Sequence, residues 1–389
     1  LARRLQQLRT DKRPFAAGAA IPGRVHWVRP ELICEVSFGE WTRDGRIRHS
    51  VFHGLRSDKP PRAIGREQAL HEAPVDKPAA APKAAARAGA ATGVTLPASL
   101  RVSNPDRVVD AQSGLTKIDL VRYYALVAPL MMPHLKGRPI AMVRAPEGIA
   151  GELFFQKHLE RYKMPGVAQL DPAIFPGHPS MLEIVRAEGL LAAAQMNVLE
   201  FHTWNGVKGN IGKPDRMTFD IDPGEGVTWP QIQEAAELVH ALLDELELPC
   251  FLKTSGGKGL HVVVPLRRQF DWDTVKDFSQ AIVQHLARTL PDRFVAKSGP
   301  KNRVGRIFID YLRNGYGATT VCAWSARARP GLGVSVPVRW DELRSLKSGA
   351  HWTVGSIHTR LDQGNAPWDA YEDSRASLSA AMKKLGFER

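Results

Sequence analysis

The fold of this chain is decided by a strand that carries two acids, Met217-Thr218-Phe219-Asp220-Ile221-Asp222-Pro223-Gly224. Phe219 and Ile221 point to one face, because side chains alternate along an extended backbone. Asp220 and Asp222 therefore share the other face, at the rim where the proline and glycine end the strand. Carboxylate oxygens suit Mg²⁺ or Mn²⁺, and a third acid would complete a two-metal site for phosphoryl transfer. On its own, the pair favours a solvated Asp-x-Asp at a strand end over such a site.

A glycine-rich segment farther along the chain, Ser255-Gly256-Gly257-Lys258-Gly259-Leu260-His261, lies between two predicted strands. Its glycines let the backbone approach a phosphate and expose N–H groups. Ser255, Lys258 and His261 add a hydroxyl, a cation and an imidazole. The segment is not a Walker loop, because the GxxxxGK[ST] spacing is absent and a strand follows rather than a helix. A flexible hairpin turn is the alternative, and the Lys and His within the turn favour a phosphate cradle over it.

A third acid closes the predicted strand from Arg306 to Tyr311. Ile307 and Ile309 share one face of that strand, so Asp310 lies on the other. An acid at this position is costly unless it is paired or binds a metal, and we expect Asp310 to be the third ligand. The basic residues around it suit a triphosphate or a nucleic-acid backbone, although each could belong to a solvated face. These residues are Lys297, Lys301, Arg303, Arg306, Arg313, Arg327 and Arg329.

Two adjacent aromatic residues, Phe154 and Phe155, stand beside Gln156, Lys157 and His158. Aromatic side chains next to positive charge can stack on the bases of a single strand. Adjacent strand residues face opposite ways, so we expect at least one of the two rings to be part of the core.

Composition limits the class of protein. The length of 389 residues predicts two or three domains. The composition, 43% hydrophobic and 24% charged, is ordinary for a globular protein. A net charge of +13 favours a polyanionic partner such as nucleic acid, although a generally basic protein would show the same charge. Three isolated cysteines exclude a disulfide framework and a zinc site. With no long apolar run and no signal peptide, we expect a cytoplasmic, nucleoid-associated protein without membrane contact.

The chain divides by composition into three parts. Residues 1–72 are β-rich, with strands expected over 25–28 and 32–38 and around an Asp44-Gly45 turn, as in a small barrel fragment. Residues 73–93 are an Ala/Pro/Lys linker, and residues 94–389 have a mixed α/β pattern. Helices are expected over 116–132, where Thr116 caps and Pro133 stops the helix, and over 190–196, 229–247 and 272–290. Further strands are expected over 139–144, 153–158, 198–204, 250–254 and 262–265.

From about Thr95 onward the chain resembles the polymerase domain of bacterial DNA ligase D, in the archaeo-eukaryotic primase superfamily. The Asp-x-Asp pair, the glycine-rich segment, Phe308-Ile309-Asp310-Tyr311 and the segment Asn314 to Thr319 occur in that family's order. Upstream, Glu35 to Thr42 and Phe52 to Lys59 are similar to the closing OB-fold motifs of the ATP-dependent ligase domain. The resemblance is to the pseudomonad type of ligase D, in which the polymerase follows the ligase. It implies an α+β, mixed α/β primase-polymerase (RRM-like) domain preceded by an OB-fold fragment.

The resemblance also implies roles for individual residues. Asp220, Asp222 and Asp310 match the family's metal-binding, catalytic carboxylates. Positions around the incoming nucleotide are matched by His202, Ser255, Gly256, Gly257, Lys258, His261, Arg303 and Arg327, and Arg144 and Arg313 are placed near the nucleotide or metal site. Arg107 and Lys117 fall where the family binds a 5′-phosphate, and Phe154 and Phe155 where it stacks on the template. The adenylation motif KxDG does not occur in these residues, so this fragment is not expected to seal nicks.

Together, the sequence and the resemblance predict a template-directed nucleotidyltransferase acting in double-strand break repair by non-homologous end joining. It would use two Mn²⁺ or Mg²⁺ ions to add NTPs or dNTPs to double-stranded DNA ends and to gapped DNA with a 5′-phosphate. The resemblance further implies a preference for Mn²⁺ and ribonucleotides, and partnership with Ku. Two alternatives stay open: a primase that starts strands de novo, and a non-catalytic DNA-end binding module with structural carboxylates.

Overall fold

The computed structural model describes residues 2–12, 26–37, 40–41, 47–48, 51–56, 94–159 and 163–388. The chain divides into two compact units, Leu1–Ala81 and Pro82–Arg389. The linker predicted for 73–93 lies outside the described residues, so its conformation stays a prediction.

The first unit is β-rich, as the sequence predicts. Its elements are α1 (Ala2–Gln7), β1 (Ile33–Ser37), β2 (Glu40–Trp41), β3 (Ile47–Arg48) and β4 (Val51–Arg56). Strand β1 pairs antiparallel with β4, and β2 pairs antiparallel with β3. The strand predicted over 25–28 is reduced to an isolated bridge between Arg9 and Val28. The Asp44-Gly45 turn and the side chains of the two OB-like motifs lie outside the described part.

The second unit contains five helices and fourteen strands among its described residues. The helices are α2 (Lys117–Leu135), α3 (Ala187–Gln195), α4 (Trp229–Glu245), α5 (Trp272–Thr289) and α6 (Leu378–Leu385). The first seven strands are β5 (Val108–Asp110), β6 (Leu115–Thr116), β7 (Ile140–Arg144), β8 (Phe154–Gln156), β9 (Val167–Gln169), β10 (Leu182–Ile184) and β11 (Val198–Thr203). The other seven are β12 (Arg216–Pro223), β13 (Phe251–Thr254), β14 (Leu260–Pro265), β15 (Phe294–Val295), β16 (Ile307–Asp310), β17 (Thr320–Val321) and β18 (Pro337–Val338).

Two six-stranded sheets form the centre of this unit. Sheet A has the order β17-β11-β7-β10-β9, with β8 paired to β7, and sheet B has the order β15-β16-β12-β14-β13-β18. All pairs in both sheets are antiparallel except β15 with β16. A separate hairpin joins β5 and β6. The mixed α+β class predicted from the sequence is therefore confirmed. Within the described ranges, no helix combines the length and apolar composition that crossing a membrane requires.

Strand β12 separates an apolar layer from a polar one. Met217, Phe219 and Ile221 are fully buried in one apolar cluster with residues of α4 and α5, as their alternation predicts. The opposite face of β12 meets sheet A through hydrogen bonds. Arg216 donates from Nη2 to the hydroxyl of Thr203 on β11, and from Nε to Asn205 Oδ1, just past the end of β11, at 3.1 Å. The acids of β12 are therefore on the face that lies toward sheet A.

Helix α2 runs past the proline that was expected to stop it. Asp119 accepts hydrogen bonds from the Thr116 amide and hydroxyl at 3.0 and 2.7 Å, which fixes the predicted start. The helix then contains Pro133 and ends at Leu135, so the expected stop is wrong. An internal proline costs about 3 kcal/mol, because a donor is lost and the ring clashes. Complete burial of apolar residues such as Met131 and Leu135 on either side of Pro133 offsets that cost.

Candidate active site

Four ionisable side chains form a row across sheet B. In the strand register, Asp220 lies opposite Asp310 on one side and opposite His261 on the other. His261 in turn lies opposite Lys253. Directly opposed residues of antiparallel strands project from the same face. The structure thus brings Asp310 to the Asp220 and Asp222 pair, although 90 residues (310 − 220) separate Asp310 from Asp220 in the sequence.

Two arginines form ion pairs with the three carboxylates, and a histidine lies against one of them. The Arg313 Nε lies 3.1 Å from Asp310 Oδ2 and 3.9 Å from Asp220 Oδ2. Arg303 forms an ion pair with Asp222. The His261 Nε2 lies 3.3 Å from Asp220 Oδ1. A guanidinium therefore lies where Asp220 and Asp310 would share a cation.

The two acids of β12 differ in how firmly they hold a proton. Burial opposes ionisation of Asp220, but the charge and hydrogen bond of His261 and the charges of Arg313 and Arg327 prevail and lower its pKa. Burial and the Asp220 charge raise the pKa of Asp222. Asp220 is consequently the more readily ionised member of the pair, and Asp222 takes up a proton first as the pH falls.

Three carboxylates are suitable ligands for a divalent cation, but in this structure arginine side chains pair with them. Among the residues that the structure describes, no group of three or more His, Cys, Asp or Glu side chains is arranged to hold a metal ion. Arg303 and Arg313 instead form ion pairs with Asp222 and Asp310. Carboxylates are nevertheless the ligands that Mg²⁺ and Mn²⁺ prefer. The Arg313 guanidinium bridging Asp220 and Asp310 shows that the pair accommodates positive charge.

A side chain continues the β ladder where β16 ends, directly after Asp310. The Asn314 amide accepts from the Thr218 N–H at 2.8 Å and donates to the Thr218 carbonyl at 2.9 Å. Asn205 donates to the Asn314 Oδ1 at 3.0 Å and so fixes the amide orientation. Because Asn314 satisfies the buried backbone of β12, the chain can leave the sheet beside the carboxylates.

The glycine-rich turn differs from the open cradle that the sequence predicts. The Ser255 hydroxyl accepts from the N–H groups of Gly257 and Gly259 at 3.1 and 3.2 Å. The Gly256 N–H donates to the Gly349 carbonyl at 2.8 Å. The expectation that these N–H groups are exposed is wrong, because Ser255 within the turn and Gly349 outside it accept hydrogen bonds from them. Lys258 is exposed, and it is the residue of the turn that presents positive charge to solvent.

Close packing, rather than phosphate approach, explains glycine at the turn. A Cβ on Gly259 would lie 1.9 Å from the Ile221 carbonyl oxygen, between the two acids of β12. A Cβ on Gly256, which has φ +68°, would lie 2.7 Å from Arg327 Cγ. The turn is therefore pressed against the acid strand and against Arg327.

A buried acid that sequence reasoning missed joins His202 to Arg327. The Glu200 Oε2 lies 2.6 Å from His202 Nε2 and 3.0 Å from Arg327 Nε. The Arg327 Nη1 also donates to the Ser255 carbonyl at 2.9 Å. The signal was present in the sequence, because Glu200 and His202 are two residues apart on a predicted strand and share a face.

The pair assigned to a 5′-phosphate flanks the β5–β6 hairpin, with Arg107 directly before β5 and Lys117 directly after β6. The Lys117 N–H donates to the Arg107 carbonyl at 2.8 Å, and Val108 pairs with Thr116. The Lys117 Nζ lies 3.3 Å from Ser103 Oγ. Burial, together with the charge of Arg107, lowers the pKa of Lys117. Two cations are thus held side by side at the start of α2.

Both rings of the aromatic pair face solvent. Phe154 and Phe155 are 47% and 54% exposed, so the expectation of a core ring is wrong. Their strand is three residues long and pairs with β7 outside the main order of sheet A, and both of these residues are exposed among the residues that the structure describes. The Phe155 ring centroid lies 5.8 Å from that of His202, so the aromatic pair lies beside the histidine that contacts Glu200.

Arg144 lies next to the aromatic pair. Its Nε donates to the Met196 carbonyl at 2.9 Å, and its Nη1 donates to Gln156 Oε1 at 3.3 Å. In the strand register Arg144 is opposite Phe154. These contacts show that Arg144 supports β8, and its expected role near the nucleotide or metal site stays a prediction.

The chain matches two known families over separate regions. Residues 116–368 match the family described as LigD, primase-polymerase domain. Residues 1–59 match the family described as ATP dependent DNA ligase C terminal region.

Relatives match along nearly the whole chain. It is 49% identical over 385 residues to the multifunctional non-homologous end joining protein LigD of Pseudomonas aeruginosa, covering 98% of this chain and 45% of that protein. The LigD of Mycolicibacterium smegmatis is 34% identical over 283 residues, covering 72% of this chain and 36% of that protein. The chain therefore spans less than half the length of these relatives.

A solved structure is similar to most of this chain. The polymerase domain from Mycobacterium tuberculosis ligase D in complex with DNA superposes with a TM-score of 0.62 at 30% sequence identity. The match covers 74% of this chain and 97% of that domain.

Gly259→Ala is expected to destabilise the protein by about 1–3 kcal/mol, the usual cost of overpacking, because the clash is with the backbone of β12. Gly209→Ala is the matched control, since nothing lies within 4 Å of its added Cβ. Urea unfolding of both variants measures the difference. Equal stabilities of the two variants would contradict the close packing of the turn on β12.

Proposed function

This chain belongs to the LigD primase-polymerase family, and we propose that it is a template-directed nucleotidyltransferase. Its role would be to fill short gaps and extend DNA ends during double-strand break repair by non-homologous end joining. The observation that carries the proposal is the strand register that places Asp310 opposite Asp220, on the face shared with Asp222. Three acids on one face, surrounded by arginines, suit phosphoryl transfer better than a structural role.

Asp220, Asp222 and Asp310 would hold the divalent ions, Mn²⁺ or Mg²⁺. Bound ions of this kind polarise the phosphoryl oxygens and lower the pKa of the attacking hydroxyl. The carboxylates themselves position the reacting groups, because they stand on paired strands whose register is fixed. Low pKa keeps Asp220 charged throughout the working pH range.

The arginines would exchange partners when substrate binds. Arg303 and Arg313 now pair with the acids, so they have planar donors ready for phosphate oxygens once a cation takes the acids over. The exposed Lys258 would add a charge for the NTP or dNTP triphosphate. In phosphoryl transfer most of the catalysis is positioning and charge stabilisation of this kind.

DNA would contact the second unit at two places. Arg107 and Lys117 would bind the 5′-phosphate on the far side of a gap, since two neighbouring cations match a dianion. The exposed rings of Phe154 and Phe155 would stack on template bases. Double-stranded ends, gapped DNA and Ku would be the partners, with a preference for Mn²⁺ and ribonucleotides expected from the family.

Replacing both Asp220 and Asp222 by Asn should abolish nucleotide incorporation on a gapped primer-template, because neutral amides cannot hold the two cations. An exposed acid, Asp369→Asn, is the control and should retain activity. Primer extension with Mn²⁺ and with Mg²⁺ measures the effect. Incorporation that survives in the double variant would instead make the carboxylates structural.

The double variant Arg107→Gln, Lys117→Met should lose any preference for 5′-phosphorylated over unphosphorylated gaps while still extending an open primer. The control, Arg268→Gln with Lys213→Met, removes the same number of charges from exposed positions and should keep that preference. The measurement is the ratio of extension rates on the two gapped substrates. An unchanged ratio in the first variant would refute the assignment.

A further inference from the structure

Glu200 is an acid buried in the region assigned to a polyanionic substrate. It is 6% exposed, and both of its oxygens are occupied. The Oε1 accepts from the Ala328 N–H at 2.7 Å. The Oε2 is shared by His202 at 2.6 Å and Arg327 at 3.0 Å. A negative charge beside a triphosphate is unfavourable, so its presence calls for a role that outweighs the repulsion.

The contacts of Glu200 tie the two sheets together at the substrate side. Glu200 and His202 are on β11 of sheet A. Arg327, held by Glu200, reaches the Ser255 carbonyl in the turn between β13 and β14 of sheet B. Gly256 has no Cβ at the point where the Arg327 side chain crosses the turn. Glu200 therefore sets the spacing between His202 and the turn that carries Lys258.

Glu200 also selects one form of the His202 ring. Burial opposes its ionisation, but the His202 hydrogen bond, the Arg327 charge and the Ala328 N–H lower the pKa of Glu200 to about 2. An ionised carboxylate only accepts hydrogen bonds, so the His202 Nε2 must carry the proton. Burial lowers the pKa of His202, which keeps the ring neutral with Nδ1 as an acceptor.

We infer that Glu200 is a positioning residue for nucleotide transfer, acting through His202 and Arg327 rather than on the substrate. This inference rests on the proposed function. Glu200 holds the imidazole in one tautomer and holds the guanidinium at a fixed distance from the Ser255 turn. Catalysis by positioning requires such fixed groups, since misplacement by about 1 Å can cost on the order of 100-fold in rate.

A second buried glutamate provides the matched control. Glu183 on β10 is 4% exposed, accepts from Lys208 Nζ at 2.7 Å and accepts from the Gly137 N–H at 3.0 Å. Glu183 is about as buried as Glu200, and it also has a cationic partner and a backbone N–H partner. The partners of Glu183 lie outside the candidate site. A purely structural Glu200 should respond to substitution as Glu183 does.

The test compares Glu200→Gln with Glu183→Gln in the full chain. In Glu200→Gln, kcat for gap filling should fall by about 10- to 100-fold while KM for the nucleotide changes less than about threefold, because positioning is lost and a repulsive charge is removed. In Glu183→Gln, kcat should stay within about twofold of wild type. Thermal unfolding of both variants measures the cost in stability. Equal kcat losses in the two variants, or an unchanged kcat in Glu200→Gln, would overturn the inference.

A second measurement does not depend on polymerase activity. NMR of ¹⁵N-labelled imidazoles should show the Nε2-protonated tautomer of His202 in wild type and in Glu183→Gln. In Glu200→Gln the pKa of His202 should fall further, and the tautomer should be mixed, because a neutral amide can also donate to the ring. An unchanged tautomer and pKa would overturn the inference, even in a protein that incorporates no nucleotides.

Discussion

The strand register that brings Asp310 opposite Asp220 is the constraint on which the rest of the second unit depends. Two acids already share a face of β12, and a third beside them would repel both unless positive charge is supplied. Arg303 and Arg313 supply that charge from either side of β16, and the imidazole of His261 lies against Asp220. Folding therefore assembles the carboxylates and the cations together. The same charge balance makes the cluster suitable for exchanging arginine for a divalent ion.

The surroundings of the acids are arranged to keep that register. Asn314 replaces a strand at Thr218, so the ladder of β12 stays satisfied where β16 ends. Gly259 lets the turn approach the Ile221 carbonyl, which lies between Asp220 and Asp222. Glu200 connects the other sheet to the same turn through Arg327. The turn is thus a rigid support for the acid strand, and the exposed Lys258 is its outward-facing cation.

Local patterns in the sequence predict the elements well, because alternation and helical spacing act over a few residues. The faces of β12, the acid at the end of β16 and the mixed α+β class follow from such patterns. Contacts between distant segments do not. The N–H groups of the glycine turn are satisfied by Ser255 and Gly349, and helix α2 passes Pro133 because of burial that only the folded chain provides. Phe154 and Phe155 are both exposed because no element of the described residues buries them, which alternation alone cannot indicate.

The central claim is that the acids of sheet B, two of which lie beside Arg313, form a site for a divalent cation. Diffraction at the manganese absorption edge, from crystals grown with Mn²⁺ and a non-hydrolysable nucleoside triphosphate, tests it most directly. The account predicts an anomalous peak bound by the carboxylates of Asp220 and Asp310, with the Arg313 guanidinium moved from between them to the triphosphate. A triphosphate bound in the crystal without manganese at these carboxylates, with Arg313 still paired to Asp310, would contradict the account.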